Sequence, residues 1–247
     1  MQVGMTQPQV FGPKNKLQSR PKLLQRSMII NHLSFMELSA VGGKQAFPKN
    51  LARDGLKFIS GSDDFYVDEK MKERALKVGL PQHGLNEDEI KEFISDYVQA
   101  AKNALEAGTD GISIAAGYGF LVNHFLDPLS NNRTDKYGGS IENISRFLLE
   151  VVDAIVDAIG PKKVAIRLSA QNKHGGMSGD SDPFNIAQYA HVIGELEKRG
   201  KEGKRLAFID LIEPVDEGKF MPGAKTSVKL SILLYLSGKE ILQEVVV

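Results

Sequence analysis

The chain contains no cysteine, which excludes disulfides, thiolate metal ligands and a cysteine nucleophile. It has no surplus of either charge: 31 Lys and Arg stand against 31 Asp and Glu in 247 residues. That balance offers nothing to attract nucleic acid or an anionic membrane, so neither is expected as a partner. Long apolar runs are missing too. The stretch LSILLYL at 230–236 falls well short of the ~18 residues of a membrane span and reads as a buried strand or helix core. The glycines at 117, 119, 175, 176 and 179 do not make a GxGxxG phosphate-binding turn. His83, His124, His174 and His191 lack paired ligand spacing, so they read as surface or satisfied residues and no metal site is expected. A cysteine-free, uncharged-on-balance chain without an apolar signal core fits a reducing, cytoplasmic setting.

What is present is globular in character. Hydrophobic residues make up 42% and charged residues 25%, and the length suits one large α/β domain or two small ones. Three segments carry the i, i+3, i+4, i+7 stripe of an amphipathic helix. In 87–107 the stripe is Ile90, Phe93, Ile94, Tyr97, Val98, Ala101 and Leu105, with Asn86 and Glu89 spaced as a capping box and Gly108 as the stop. In 141–159 it is Ile144, Phe147, Leu148, Val151, Val152 and Ile155, between Ser140 and Gly160. In 183–199 it is Ile186, Tyr189, Ala190, Ile193 and Leu196, with Asp182 as cap, Pro183 at the first helical position and Gly200 closing.

Short apolar runs alternate with these helices, at 35–41, 112–115, 164–168 and 206–212. Near-continuous apolar strands between amphipathic helices imply a parallel sheet covered by helices. A (β/α) barrel and an open doubly wound sheet both satisfy that pattern. Residues 1–27 fit it poorly. Lys14, Lys16, Arg20, Lys22 and Arg26 are unopposed by any acid there, and prolines at 8, 13 and 21 break a presequence-like helix, so the segment reads as a loose, solvated arm. Residues 215–247 also lack a continuing βα rhythm, which leaves 28–214 as the expected domain. About four strands are legible where a closed barrel needs eight. A partial barrel would present unpaired edges, which favour homo- or hetero-oligomers.

The loop after the 112–115 strand carries the most distinctive residues, and ligands collect at such loops in strand–helix proteins. NHFLDPLSNNRTDKYGGSIEN at 123–143 belongs to a wider set: AFPKNLARDGL (46–56), PQHGL (81–85), YVQAAKNALEAGTDG (97–111), RFLLEVVDAIVDAIG (146–160), MSG (177–179) and GELEKRGKEGKRLAFIDLIEP (194–214). Through these segments the chain resembles the yeast and fungal branch of the old yellow enzyme family, the FMN-dependent NADPH dehydrogenases or ene-reductases. The resemblance implies α/β architecture with parallel strands, here a partial TIM (β/α) barrel. It implies FMN and NADP(H) as cofactors and an enone-type small molecule as substrate.

It also implies where the chemistry would lie. The family holds its substrate oxygen with a His and an Asn and supplies a proton from a Tyr; the matching positions read Ala115, Tyr118 and Phe120. Of these, Tyr118 alone keeps a hydrogen-bonding group, a phenol. Arg167 matches the family arginine that approaches the flavin ring. The flavin-binding Gln falls at Glu37 or Leu38, depending on one gap. Ala170, Gln171 and Val215 stand where the family has a proline, a tyrosine and an arginine. Asn123 and Asp127 read as turn formers, and Arg133, Asp135 and Glu142 as ion pairs that lock the long loop. Two functions follow: an FMN oxidoreductase, NADPH dehydrogenase-like, with impaired ene reduction; or a catalytically inactive degenerate or truncated relative that acts by binding a partner.

Overall fold

The structure is a computed structural model that describes residues 2–5, 33–40, 42 and 47–212. Residues 6–32 and 213–247, with most of the expected arm, the expected tail, the 230–236 stretch and Val215, lie outside the described residues. Seven strands are found among the described residues: β1 (Gln2–Met5), β2 (Phe35–Ala40), β3 (Phe58–Ser60), β4 (Gln82–Gly84), β5 (Gly111–Ala116), β6 (Val164–Leu168) and β7 (Phe208–Leu211). Six α-helices lie between them: α1 (Pro48–Arg53), α2 (Glu69–Lys77), α3 (Glu87–Glu106), α4 (Leu121–Leu126), α5 (Ile141–Ile159) and α6 (Pro183–Arg199).

Five strands form one sheet in the order β1-β2-β5-β6-β7, and every pairing in it is parallel. A parallel sheet with helical crossovers must have both faces covered. The outer face is covered by the three long helices. Met36, Leu38, Ala40, Ile112, Ile114, Ala116, Val164, Ile166 and Leu168 share one buried cluster with Phe93, Tyr97, Phe147, Leu148, Val152 and Val192. Period-2 alternation sends the intervening residues to the other face. There Phe35 of β2 and Phe208 of β7 touch, with ring centroids 5.0 Å apart. Their strands are three steps apart in the sheet, roughly 14 Å if it were flat, so the sheet curls and this face is concave. Gly111 makes room: a Cβ there would run into the Phe35 ring. The result is a partial TIM barrel, with the concave face as the barrel interior.

The expected helices α3, α5 and α6 are present, with the caps the sequence indicates. Asn86 accepts from the amides of Asp88 and Glu89 while Glu89 accepts from the Asn86 amide, a complete capping box. Ser140 caps α5 and Asp182 caps α6. Two expectations change. The strand count rises, because β3, β4 and β1 were not legible. Residues 2–5, read as part of a loose arm, instead pair in parallel with β2.

β3 and β4 make a separate two-stranded parallel sheet that packs with α1 and α2 around Leu51, Phe58, Met71 and Ala75. Glu89 ties this layer to α3. Its carboxylate accepts from Lys57 at 2.5 Å and lies 2.6 Å from His83 Nε2. Burial works against the Glu89 charge, but Lys57, the Asn86 amide and His83 outweigh it and hold the carboxyl down at about 2, from 4.5. A depressed folded value means stability that is complete above about pH 4.5 and lost as pH falls through about 2. Glu89→Gln is therefore expected to flatten the acid-unfolding curve across that window. At pH 7 it should cost about 1 kcal/mol, since these partners are partly solvated. Denaturant midpoints measured from pH 2 to 7 test this; an unchanged acid limb would contradict it.

Candidate active site on the concave face

The concave face is built in layers, as barrel interiors are. Phe35 and Phe208 fill the lower layer. One pleat higher, β2 contributes Glu37, β6 contributes Arg167 and β7 contributes Asp210. Register pairs Arg167 with Ala115 on one side and with Asp210 on the other, while Glu37 pairs with Ser113. Arg167 Nε donates to Asp210 Oδ2 at 2.6 Å and Nη1 donates to Glu37 Oε2 at 2.6 Å. The guanidinium thus spans β5 to reach β2. It can do so because position 115, between them, carries only a methyl side chain.

Burial disfavours the Arg167 charge, but the Asp210 hydrogen bond and the charges of Glu37 and Asp210, with a smaller contribution from Tyr118, hold its pKa above the ordinary guanidinium value. Glu37 is the more enclosed carboxylate, 14% exposed against 35% for Asp210. Of the two residues left open for the family's flavin-binding amide, Leu38 is fully buried in the helix-side core and Glu37 faces the concave side.

Tyr118 sits just above this layer, in the loop after β5. Its φ is +54°, a left-handed conformation uncommon for a tyrosine. Its amide donates to Ser169 Oγ at 2.8 Å, and its ring meets His174 edge-on at 6.2 Å. Gly117 permits the close approach, since a Cβ there would lie 2.5 Å from Ser169 Oγ. Phe120 is the N-cap residue of α4 and offers no side-chain hydrogen bond. Tyr118 and Arg167 therefore come together electrostatically, and Ala115 lies directly beside the arginine. Asp210 was not singled out in the sequence. Its signal was a lone acid in an apolar strand, on the same face as Phe208.

The loops above the sheet are fastened by buried polar groups rather than by turns alone. Asn123, expected as a turn former, instead lies in α4, accepts from the Gly119 amide and donates to Tyr189 Oη at 2.9 Å. Burial and the nearby Asp127 charge push the Tyr189 phenol up. Asp127 does form a turn, accepting from the amides of Leu129 and Ser130. Its second oxygen also takes the amide and hydroxyl of Ser178, both at 2.7 Å. Arg133 pairs with Asp135 and donates to the carbonyls of Gly61 and Leu85. Glu142 does not join that pair; Ser140 holds its carboxyl below the usual range. Among the described residues, no cluster of His, Asp or Glu is arranged to hold a metal ion, and no helix is long and apolar enough to cross a membrane.

A parallel β/α sheet with a charged, loop-rimmed concave face defines a partial (β/α)-barrel scaffold. The chain belongs to the NADH:flavin oxidoreductase / NADH oxidase family, whose profile matches residues 31–240. It is 57% identical over 180 residues to enoate reductase 1 of Kluyveromyces lactis, covering 73% of this chain and 45% of that protein. It is 38% identical over 174 residues to a probable NADPH dehydrogenase of Candida albicans, covering 70% of this chain and 42% of that protein. Old yellow enzyme from Pichia sp. AKU4542 superposes with a TM-score of 0.78 at 36% identity, over 81% of this chain and 52% of that one. Morphinone reductase superposes with a TM-score of 0.74 at 26% identity, over 91% of this chain and 58% of that one. The chain thus spans about half the length of the relatives it matches.

The family's cofactor, FMN, gains negative charge on its ring when reduced. Among the described residues of that layer, the Arg167 guanidinium is already engaged by two carboxylates.

Removing the guanidinium should expose the strain in this layer. Arg167→Met is expected to destabilise the protein by about 1–3 kcal/mol at pH 7, because two carboxylates lose their shared counter-ion. Urea unfolding at pH 7 measures it, and a variant as stable as the parent would contradict the ion-pair account.

Proposed function

We propose that this chain is an NADPH dehydrogenase-like, enoate-reductase-type FMN oxidoreductase whose ene reduction is impaired. In that reading the family activity carries hydride from NADPH, by way of FMN, to an activated alkene of enone type. The observation that carries the oxidoreductase reading is the family match over residues 31–240, and the one that carries the impairment is the bracketing of Arg167 by Glu37 and Asp210 at 2.6 Å each. The resemblance and the family membership support the flavin and nicotinamide cofactors. The bracketed arginine, with Ala115 beside it, supports the impairment. A substrate oxygen developing negative charge finds no donor at Ala115 or Phe120, and each missing preorganised donor is worth about 100- to 1000-fold in rate. Tyr118 is the remaining phenol at the strand ends and is assigned the residual donor role. The cysteine-free composition suits a cytoplasmic enzyme.

The test begins with purified protein given excess FMN and then desalted. It is expected to retain a flavin absorbance band and to turn over an enone with NADPH at least about 100-fold more slowly than the relatives with a full donor set. Tyr118→Phe should lower the residual rate further. Colourless protein with an intact circular dichroism spectrum would sink the flavoprotein reading. Turnover equal to that of the relatives would sink the impairment.

A further inference from the structure

We infer that the Ser39 hydroxyl binds the flavin ring, donating a hydrogen bond to an acceptor on its polar edge. This deepens the flavoprotein reading and rests on it. Ser39 stands near the C-terminal end of β2, the end at which ligands of (β/α) barrels sit. Period-2 alternation puts it on the concave face with Phe35 and Glu37, one pleat above the ion-paired layer. It is 1% exposed, and its Oγ has no hydrogen-bond partner among the described residues. The neighbouring strands explain why. On β1 the register partner is Gly4, which has no side chain. On β5, Leu38 pairs with Ile114, so Ser39 lies level with Ala115, which offers only a methyl.

A buried hydroxyl with no partner works against folding, because it has lost its bonds to water and gained none. A ligand that brings an acceptor to it removes that penalty on binding. Other polar side chains of this face are already used. Glu37, Arg167 and Asp210 bond one another, and Ser169 accepts from the Tyr118 amide. The oxidised flavin ring carries carbonyl oxygens and unprotonated ring nitrogens along one edge, and all of them accept. A hydroxyl can donate to any of these, whereas the Glu37 carboxylate can only accept. Such a bond needs no charge on the ring. Ser39 is also held in place. Just beyond β2, Gly42 packs on α4 so closely that a Cβ there would lie 2.8 Å from His124 Cε1 and 3.2 Å from Leu121 Cα. The strand end is fixed, and the hydroxyl stays on the ligand side of the sheet.

The experiment compares the whole protein with Ser39→Ala and Thr109→Val. Calorimetry gives the dissociation constant for oxidised FMN, and circular dichroism gives the thermal midpoint without it. Thr109 is the control. Its Oγ1 is also buried without a partner among the described residues, but it precedes β5, at the opposite end of the sheet. Without FMN, both variants are expected to melt at or above the parent midpoint, since each loses an unbonded polar group. Ser39→Ala is expected to raise the FMN dissociation constant about fivefold to tenfold, and Thr109→Val to leave it within about twofold of the parent value. Binding unmoved by Ser39→Ala, a clear fall in the FMN-free midpoint of that variant, or an equal loss of binding in Thr109→Val would overturn the inference and leave the flavoprotein reading standing. A parent protein that binds no FMN would overturn both.

Discussion

Everything on the concave face depends on one guanidinium shared by two carboxylates on different strands. Arg167 holds Glu37 of β2 and Asp210 of β7. β2 and β7 are three strands apart in the sheet, so the pairing exists only because the sheet is curled. The curl is paid for by the layer beneath, where Phe35 and Phe208 meet over the gap left by Gly111. The small side chain at Ala115 then lets the arginine cross β5. Change the aromatic layer or position 115 and the ion pairs lose their geometry.

The same parts account for the proposed separation of ancestry from present chemistry. The outer face and its helices keep the packing of a flavin oxidoreductase barrel, and that packing follows from apolar periodicity alone. The loops are fastened independently: Asp127 binds Ser178, Asn123 binds Gly119 and Tyr189, and Arg133 binds Gly61 and Leu85. These contacts join the β3–β4 layer and the β6–α6 loop to the sheet without touching the concave face. A chain can therefore hold the scaffold while its inner residues drift, which is what the proposed impairment requires. Charge balance is what limits that drift, since a carboxylate facing the interior needs a cation within reach.

The sequence showed the long elements well. α3, α5 and α6 have strong stripes and caps, and Asn86, Ser140 and Asp182 cap as their side chains allow. β3 and β4 escaped because three residues each are too few to show a period. β1 escaped because its short run follows no recognisable turn signal. At the site, Arg167, Glu37 and Tyr118 were each visible singly. Their mutual arrangement was not, because it comes from register and curl: Glu37 and Arg167 are 130 residues apart. Asp210 was hidden for the same reason, and Asn123 was mistaken for a turn residue because a buried partner, Tyr189, cannot be read from local sequence.

The central claim is that Glu37, Arg167 and Asp210 form one coupled ion cluster, and a double-mutant cycle measures that coupling directly. Unfolding free energies at pH 7 would be compared for Glu37→Gln, Arg167→Met, Asp210→Asn and the two pairwise combinations with Arg167→Met. The account predicts coupling energies of about 1 kcal/mol or more for both pairs, larger for Glu37, the more enclosed partner. Additive effects, with no coupling for either pair, would contradict it.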